Sequence, residues 1–226
     1  MTFTYYGHSC FTVELNGKHL TFDPFITGNE LASKISPEDV KADYIFVSHG
    51  HFDHMLDTVR IAKNTGASVF GGFELYSYFT AQGLEKVMPI NPGGKIALDF
   101  GVVKAFAAQH SSSFQDGSYA GVASGFAVKT DAGSFYYSGD TALSLDMQLV
   151  SRFAKLDFAV LPIGDLLTMG VDDAIEAAKL VQAKKVVGVH YDTFGWIKLD
   201  KEEAINQFRE AGLELLLPAI GETITL

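Results

Sequence analysis

Short apolar runs and longer amphipathic stretches alternate along the chain and predict its secondary structure. In the first two thirds, runs rich in β-branched and aromatic residues predict strands at 3–6, 10–15, 19–22, 43–48, 69–70, 95–98, 102–108, 125–130 and 134–137, with helices at 55–64 and 73–82. In the last third, predicted helices at 145–154, 172–183 and 201–210 alternate with predicted strands at 158–161, 185–189 and 214–217. This order favours two packed sheets with helices outside them, rather than one doubly wound sheet.

Composition places the chain among globular proteins. Hydrophobic residues make up 47% of its 226 positions and charged residues 19%, which excludes intrinsic disorder. No linker or low-complexity tract divides the sequence, so we expect one domain over residues 1–226. No run reaches the roughly 18 consecutive apolar residues of a membrane span. The start of the chain lacks the pattern of a signal peptide. The single cysteine, Cys10, is expected to be a buried small hydrophobe. These features together predict a cytoplasmic protein.

The charge balance argues against nucleic acid as a partner. Lys and Arg total 17 against 27 Asp and Glu, a formal net charge of −10, and only Arg60, Arg152 and Arg209 are arginines. An acidic, arginine-poor surface repels a polyanion, whereas nucleic-acid binding requires clustered basic side chains. We therefore expect a small-molecule substrate.

The segment from Ser48 to His54, which reads S-H-G-H-F-D-H, is the most informative in the chain. It contains four side chains that can bind metal, and it lies where a predicted buried strand meets a predicted helix. Such loops are where α/β architectures place their chemistry. A polar loop with incidental histidines is the weaker interpretation.

Further candidate ligands stand at equivalent places in the sequence. Each follows a strand-like run directly, as His49 does; they are Asp23, His110, Asp140 and His190. Any one of them alone is more often a capping or hydrogen-bonding residue than a ligand. If the strands lie side by side with these ends on one rim, all five side chains converge there.

Imidazole and carboxylate ligands without thiolate suit Zn²⁺, Fe, Mn²⁺ or Ni²⁺, and ligand type alone does not choose among them. The candidate ligands suffice for two ions. Two metal ions roughly 3.5–4 Å apart lower the pKa of a water molecule that they share, and they stabilise both the attacking and the departing oxygen. The sequence therefore predicts two divalent metal ions as cofactors, with zinc preferred.

The H-x-H-x-D-H loop, the later lone histidine, the turn Gly139-Asp140-Thr141 and the terminal His190 resemble the metallo-β-lactamase superfamily of hydrolases. The stretches G-H-S-C-F, T-F-D-P-F, G-D-T and P-I-G-D-x-x-T-M-G are similar to those of its short bacterial metal-dependent hydrolases of unassigned substrate. That branch is similar to ascorbate-phosphate lactonases and to N-acylphosphatidylethanolamine phospholipases.

This resemblance implies an α+β fold, the αββα four-layer sandwich, with a dinuclear site on one rim. It implies three ligands for the first metal, namely His49, His51 and His110. It implies three for the second, namely Asp53, His54 and His190. Asp140 would bridge the two ions, and Asp23 would orient metal ligands.

The implied reaction is attack by a metal-bridging hydroxide on an ester, lactone or phosphodiester, with Asp53 orienting the hydroxide and accepting its proton. His8 is a further catalytic candidate, as an acid or a substrate contact, although a histidine tied into local β structure is an equal alternative. The flavodiiron branch has Glu where this chain has His51, which favours hydrolysis over redox chemistry.

Several alternatives stay open. A phosphodiesterase or nuclease of the same superfamily ranks lower because the chain is compact and acidic. A metal-binding regulatory protein without catalysis and a redox diiron enzyme are the alternatives from other classes. Related proteins are often homo-oligomers. Loops 29–36, 111–120 and 164–171 are expected to select the substrate.

Five residues outside the ligand set have sequence positions that suggest a place in the pocket, a helix or the core. Thr168 and Met169 are expected to line the pocket. Asp173 is expected to have a structural role, in which its carboxylate stabilises the first turn of a helix through the helix dipole. Phe194 and Trp196 are expected to lie in the core, with a pocket wall as the alternative.

Overall fold

Two seven-stranded mixed sheets form the centre of the computed structural model, which describes residues 1–226. The first sheet has the order β14-β1-β2-β3-β4-β5-β6 and the second the order β13-β12-β11-β10-β9-β8-β7. The strands are β1 Thr2–Gly7, β2 Cys10–Leu15, β3 Lys18–Phe22, β4 Tyr44–Phe46, β5 Ser68–Gly71, β6 Val87–Pro89, β7 Lys95–Leu98, β8 Gly101–Ala107, β9 Ser124–Thr130, β10 Gly133–Tyr137, β11 Phe158–Pro162, β12 Lys185–Val189, β13 Glu214–Leu216 and β14 Thr223–Thr225. The helices are α1 Phe52–Met55, α2 Thr58–Thr65, α3 Phe73–Ala81, α4 Gln148–Phe153, α5 Val171–Leu180 and α6 Lys201–Glu210.

Three apolar layers hold these elements together. One cluster of 21 buried residues fills the space between the two sheets. A second cluster of 15 residues lies between the first sheet and helices α2 and α3, and a third of 23 residues lies between the second sheet and helices α4 to α6. The order helix, sheet, sheet, helix is the predicted αββα sandwich, and the fold prediction is confirmed.

An aromatic ladder crosses the first sheet on its inner face. Phe3, Phe11, Phe22, Phe46 and Phe70 stand on five successive strands, and neighbouring rings are stacked with centroids 4.8 to 5.2 Å apart. The strand register sets this stack, because three of the four neighbouring pairs lie directly opposite each other on adjacent strands. Aromatic cross-strand pairs add about 0.5–1.5 kcal/mol each beyond their burial, so the ladder fixes the register of the strands that lead to the site.

The topology brings the carboxyl ends of the relevant strands to one rim. Strands β3 and β4 are parallel, and so are β10, β11 and β12. Strands β8 and β10 both run antiparallel to β9, so β8 points the same way as β10. The residues that follow these strand ends therefore lie at the same edge of the sandwich.

The predicted helix at 55–64 is wrong in one respect, because it is divided into α1 and α2 at Leu56 and Asp57. The Asp57 backbone N–H donates to the carbonyl of Pro24, and the Asp57 carboxylate accepts from the backbone N–H groups of Ile26 and Thr27. These bonds to another loop compete with a continuous helix at this point.

Two short strands were not predicted. Strand β6 pairs with β5, and β14 pairs with β1 at the edge of the first sheet. Each has three residues, which is too short for a period of two to be detected. None of the helices has the length and apolar character that crossing a membrane requires.

Candidate metal centre

The histidine-rich loop lies at the end of β4 and continues into α1, whose four residues include Asp53 and His54. A side chain at Gly50 would place Cβ 2.2 Å from Cβ of Ala120. Glycine is therefore required at this point, where the loop passes close to the segment that follows His110. This close approach brings two distant parts of the sequence to one site.

The structure brings His49, His51 and His110 together as one group. One ring nitrogen from each lies within 4.8 Å of those from the other two. His49 Nε2 and His51 Nδ1 are 2.9 Å apart. Two nitrogens on one tetrahedral zinc ion, at Zn–N bonds of about 2.0–2.1 Å, would be roughly 3.3 Å apart, so these two nitrogens already face a common point.

Asp53, His54 and His190 form a second group, which also includes His8, again with ligand atoms within 4.8 Å of one another. Asp53 and His54 reach this group from α1, and His190 reaches it from the residue after β12. A third group joins Asp23 with His49 and His54, one from each predicted ligand set, so the two sets lie side by side.

Asp140 lies between the two groups. Its Oδ2 atom is 3.1 Å from His54 Nε2, 2.9 Å from His190 Nε2 and 3.7 Å from His110 Nε2. The carboxylate therefore faces members of both sets, as a bridging ligand would.

Asp23 is fully buried behind the histidines and accepts four hydrogen bonds. The donors are the Ser48 backbone N–H at 2.7 Å, Ser48 Oγ at 2.6 Å, His54 Nδ1 at 2.7 Å and the Tyr137 hydroxyl at 2.5 Å. Ser48 Oγ is in turn 2.9 Å from His49 Nδ1. His54 Nδ1 faces the Asp23 carboxylate and His49 Nδ1 faces Ser48 Oγ, so the Nε2 atoms of both rings are turned toward the centre. One carboxylate thus orients a histidine in each group.

The first histidine group is held in its neutral form. Burial, with the nearby His54 as a second cause, lowers the pKa of His49 well below its usual value. Burial also lowers the pKa values of His51 and His110. Neutral imidazole is the state that binds metal, so the site favours ligation at neutral pH.

The carboxylates are held in their charged form. Burial opposes ionisation of Asp140, but the neighbouring His190 and His54 keep its pKa well below the usual range. Burial likewise opposes ionisation of Asp53, and His54 and His8 lower the pKa of that carboxyl. Burial opposes the charge on His54, yet the Asp140 and Asp23 carboxylates raise its pKa. This buried set combines negative carboxylates with convergent nitrogens.

The residues fit the binding of divalent metal. Asp140 Oδ1 is buried without a hydrogen-bond partner, although it lies inside the cluster. Unpaired buried polar atoms cost about 1–3 kcal/mol each, and a metal ion would satisfy them. The donors are nitrogen and oxygen only, which is the set expected for zinc or another divalent transition metal.

His8 lies beside this site but does not line the cavity in front of it. Its Nε2 atom is 3.0 Å from Asp53 Oδ2, its Nδ1 atom is 2.9 Å from Thr193 Oγ1, and its side chain is buried. Its ring packs on that of His190 at a centroid distance of 4.1 Å. Burial lowers its pKa to about 4, so the ring is neutral and reaches the reacting atoms only through Asp53.

Strained backbone marks three of these positions. His8, Asp23 and His190 have φ values of +54°, +41° and +58°, each directly after a strand. Non-glycine residues with positive φ are uncommon and concentrate at functional sites. The His190 N–H donates to the His8 carbonyl at 2.8 Å and joins the two sheets at this rim.

A cavity of about 460 Å³ opens in front of the two groups. His51, Asp53, His110, Asp140 and His190 line its floor. This is the size of an ordinary small-molecule site, so the cluster faces a space that a substrate can enter.

The predicted cavity walls need correction. Trp196 is 70% exposed and lines the cavity with the half-buried Phe194, so the preference for a core position is wrong. Met169 is fully buried in the core instead of lining the pocket, and Leu167 takes that place in the wall. The partly buried Thr168 does not line the cavity either.

Two of the three loops that are predicted to select the substrate contact the cavity. Residues from loops 111–120 and 164–171 line the cavity, whereas loop 29–36 contributes none. Phe52, within the histidine-rich loop itself, was missed as a wall residue. The signal available in the sequence was a large apolar residue directly between two candidate ligands, His51 and Asp53.

The remaining predictions concern residues outside the site. Asp173 lies in the first turn of α5 and belongs to no ligand group, in agreement with a structural role. Cys10 is buried among apolar side chains as expected. Burial raises the pKa of its thiol.

Comparisons with known proteins show the family of the chain. The family model described as a β-lactamase superfamily domain matches residues 19–191. A UPF0173 metal-dependent hydrolase of Christiangramia forsetii is 47% identical over the full length of both chains. A solved metallo hydrolase from the hyperthermophilic archaeon Ignicoccus hospitalis is 34% identical, with a TM-score of 0.89 over 99% of this chain and 97% of that one.

A more distant structure shares the fold alone. The isothiocyanate hydrolase from Delia radicum gut bacteria is 20% identical, with a TM-score of 0.81 over 100% of this chain and 99% of that one. The chain belongs to the metal-dependent hydrolases of the β-lactamase superfamily, in the UPF0173 family. The predicted superfamily and the predicted hydrolase class are confirmed.

Proposed function

We propose that residues 1–226 act as one catalytic domain that hydrolyses a small-molecule ester, lactone or phosphodiester with two divalent metal ions. The observation that carries this proposal is the place of Asp140, whose Oδ2 atom is 3.7 Å from His110 Nε2 and 2.9 Å from His190 Nε2, one candidate ligand from each predicted set. His49, His51 and His110 would hold the first ion. Asp53, His54 and His190 would hold the second, with Asp140 shared.

When bound, two divalent ions lower the pKa of a water molecule in the site and stabilise negative charge that develops on the substrate. The chain supplies the remaining functions. Asp23 and Ser48 keep the ligand nitrogens aimed at the centre, and the sandwich rim excludes water from behind the site because Asp23 and His54 are fully buried. Asp53, which lines the cavity floor, is the carboxylate placed to orient a water and to take its proton.

In this proposal His8 is a positioning residue for Asp53. Its Nε2–H donates to one carboxylate oxygen at 3.0 Å while Thr193 Oγ1 donates to Nδ1. The bond fixes the direction of the carboxylate. We expect His8→Ala to lower kcat by about 10- to 100-fold, the usual effect of losing an outer partner of a ligand.

The control for this role is His8→Gln, because its amide N–H reaches the same side of Asp53. Partial recovery of kcat in His8→Gln, with both ions retained in both variants, supports positioning. Equal loss in the two variants contradicts it.

A metal-exchange assay tests the function as a whole. Protein stripped with a chelator should lose hydrolysis of p-nitrophenyl acetate and regain it with Zn²⁺ or Mn²⁺. His110→Ala and His190→Ala, one from each group, should each reduce kcat at least 100-fold.

His19→Ala is the matched control. His19 is half-buried, its ring contacts Asp43 at 3.3 Å, and it belongs to neither group. Full activity of the stripped protein, or full activity of both group variants, would contradict the proposal. Activity restored only by iron and accompanied by oxygen consumption would favour the redox alternative.

A further inference from the structure

The cavity in front of the metal centre has no cationic side chain in its walls. Its lining contains no Lys or Arg, and its charged members are Asp53 and Asp140. No Lys or Arg is therefore available to bind a substrate with several negative charges, and only bound metal ions would supply positive charge to it.

Apolar side chains form the outer wall of the same cavity. Phe114, Leu167 and Phe194 line it together with two strongly exposed aromatic residues, Trp196 at 70% and Phe52 at 43%. Exposed large apolar groups that surround a cavity mark a binding surface for an apolar ligand. The wall therefore favours a neutral substrate with an apolar portion.

A second cavity of about 290 Å³ lies next to the first. The two share Phe52, Phe114 and Gln115 as lining residues, so they are neighbours on either side of these side chains. Six of the ten residues around the second cavity are hydrophobic. They include one side chain from each of α1, α2 and α3, namely Met55, Val59 and Tyr78. Tyr78 is held by a stacked contact with Phe114 at 4.6 Å between centroids.

We infer that the substrate is a neutral carboxylic ester whose apolar acyl chain occupies this second cavity while its carbonyl faces the metal centre. This inference rests on the proposed function and narrows it. Hydrolysis bonds the oxygen of water to the acyl carbon and breaks the bond from that carbon to the alcohol oxygen. One proton of water passes to the alcohol, so that a carboxylic acid and an alcohol leave.

The first test is chain-length preference in the metal-loaded enzyme. The probes are p-nitrophenyl acetate, butyrate and octanoate, with bis(p-nitrophenyl) phosphate for the anionic alternative. Each methylene that enters an apolar cavity favours binding by about fourfold. We expect kcat/KM for octanoate to exceed that for acetate by about 100-fold or more, since three or four buried methylenes suffice for this ratio.

Val59→Phe tests whether the second cavity holds the chain. Val59 is half-buried on α2, and a larger side chain there would fill the cavity. We expect the octanoate-to-acetate ratio of kcat/KM to fall at least tenfold. The control is Val102→Phe, a half-buried valine on β8 in a separate cavity of about 500 Å³, for which the ratio should not change. The ratio is insensitive to partial unfolding or metal loss, because these lower both terms equally.

The second readout does not require turnover. Trp196 is the only tryptophan, so its fluorescence reports the cavity mouth. Octanamide, which is neutral and a poor substrate, should shift this fluorescence saturably, whereas acetamide should not. Val59→Phe should raise the octanamide Kd at least tenfold.

The possible outcomes distinguish failure of the proposed hydrolase function from failure of the inferred substrate class. If loaded enzyme hydrolyses neither the esters nor the phosphodiester while octanamide still binds in a Val59-dependent way, the proposed function is wrong and the apolar site stands. If esters are hydrolysed with equal kcat/KM at every chain length, or the phosphodiester is preferred, the inferred substrate class is wrong. If Val59→Phe changes neither the ratio nor the octanamide Kd, the second cavity is not the acyl site.

Discussion

The Asp23 carboxylate offers a sharp test of how the site is held, through the substitution Asp23→Asn. The carboxylate accepts from four donors, and two of them are N–H groups of fixed direction, on the Ser48 backbone and at His54 Nδ1. An asparagine keeps the volume and tolerates the positive φ of 41° at this position. It replaces one acceptor oxygen by an NH₂ group that points at these donors.

The size of the effect follows from the hydrogen bonds. The hydroxyls of Ser48 and Tyr137 can turn to other acceptors, but at least one N–H loses its partner. An unsatisfied buried group costs about 1–3 kcal/mol. We therefore expect the free energy of unfolding of metal-free Asp23→Asn to fall by about 1–3 kcal/mol, measured by urea denaturation.

The effect on metal is more specific. If the side-chain amide introduced by Asp23→Asn donates to His54 Nδ1, the His54 proton moves to Nε2, the nitrogen that faces the centre. The expected loss of metal affinity is about 10- to 100-fold, which corresponds to roughly 1.4–2.7 kcal/mol. Competition with a chromophoric chelator measures it.

Asp57→Asn is the matched control. Asp57 is equally buried and accepts from the backbone N–H groups of Ile26 and Thr27, yet it contacts no candidate ligand. It should lose comparable stability and keep its metal affinity. Unchanged affinity in Asp23→Asn, or equal loss in both variants, would refute the reasoning.

Three further variants test the bridge, the core and the rim. Asp140→Ala removes the carboxylate between the two groups and should lower metal content below two ions per chain and abolish hydrolysis; two retained ions with full activity, by elemental analysis and assay, would show that no bridge exists. Phe22→Ala removes a fully buried ring from the aromatic ladder and should cost about 3–5 kcal/mol in urea denaturation, and a loss under about 1 kcal/mol would mean that the ladder contributes little. Gly164→Ala places a Cβ 2.0 Å from the His190 carbonyl oxygen, so it should displace this ligand and weaken metal binding in chelator competition; an unchanged affinity would argue against His190.

The sandwich was predictable from sequence because its strands are long enough to show their patterns. Strands β2 and β12 are mostly apolar, and the predicted elements follow one another in the structure in the predicted order, with the three-residue strands β6 and β14 added to them. The predictions of secondary structure that were wrong failed because contacts between distant parts of the sequence determine the structure there. Asp57 interrupts a helical pattern because its partners lie in a loop some thirty residues away.

The convergence of the candidate ligands was also predictable, because five of them lie within three residues of a strand end and these strand ends share one rim. What sequence could not give was the direction of side chains in loops. Trp196 and Met169 are both apolar residues in irregular segments, yet one is exposed at the cavity and the other is fully buried. The role of His8 was equally hidden, because its partners Asp53 and Thr193 are 45 and 185 residues away.

Metal stoichiometry resolved by ligand group is the most direct test of the two-ion centre. Protein purified without chelator and dialysed against metal-free buffer would be analysed for transition metals, beside His110→Ala and His190→Ala. We predict close to two ions per chain in the parent protein and close to one in each variant, because each substitution removes a ligand from a different group. A single ion in the parent protein that both variants lose would contradict the two-ion account, and no bound metal even after reconstitution would overturn it.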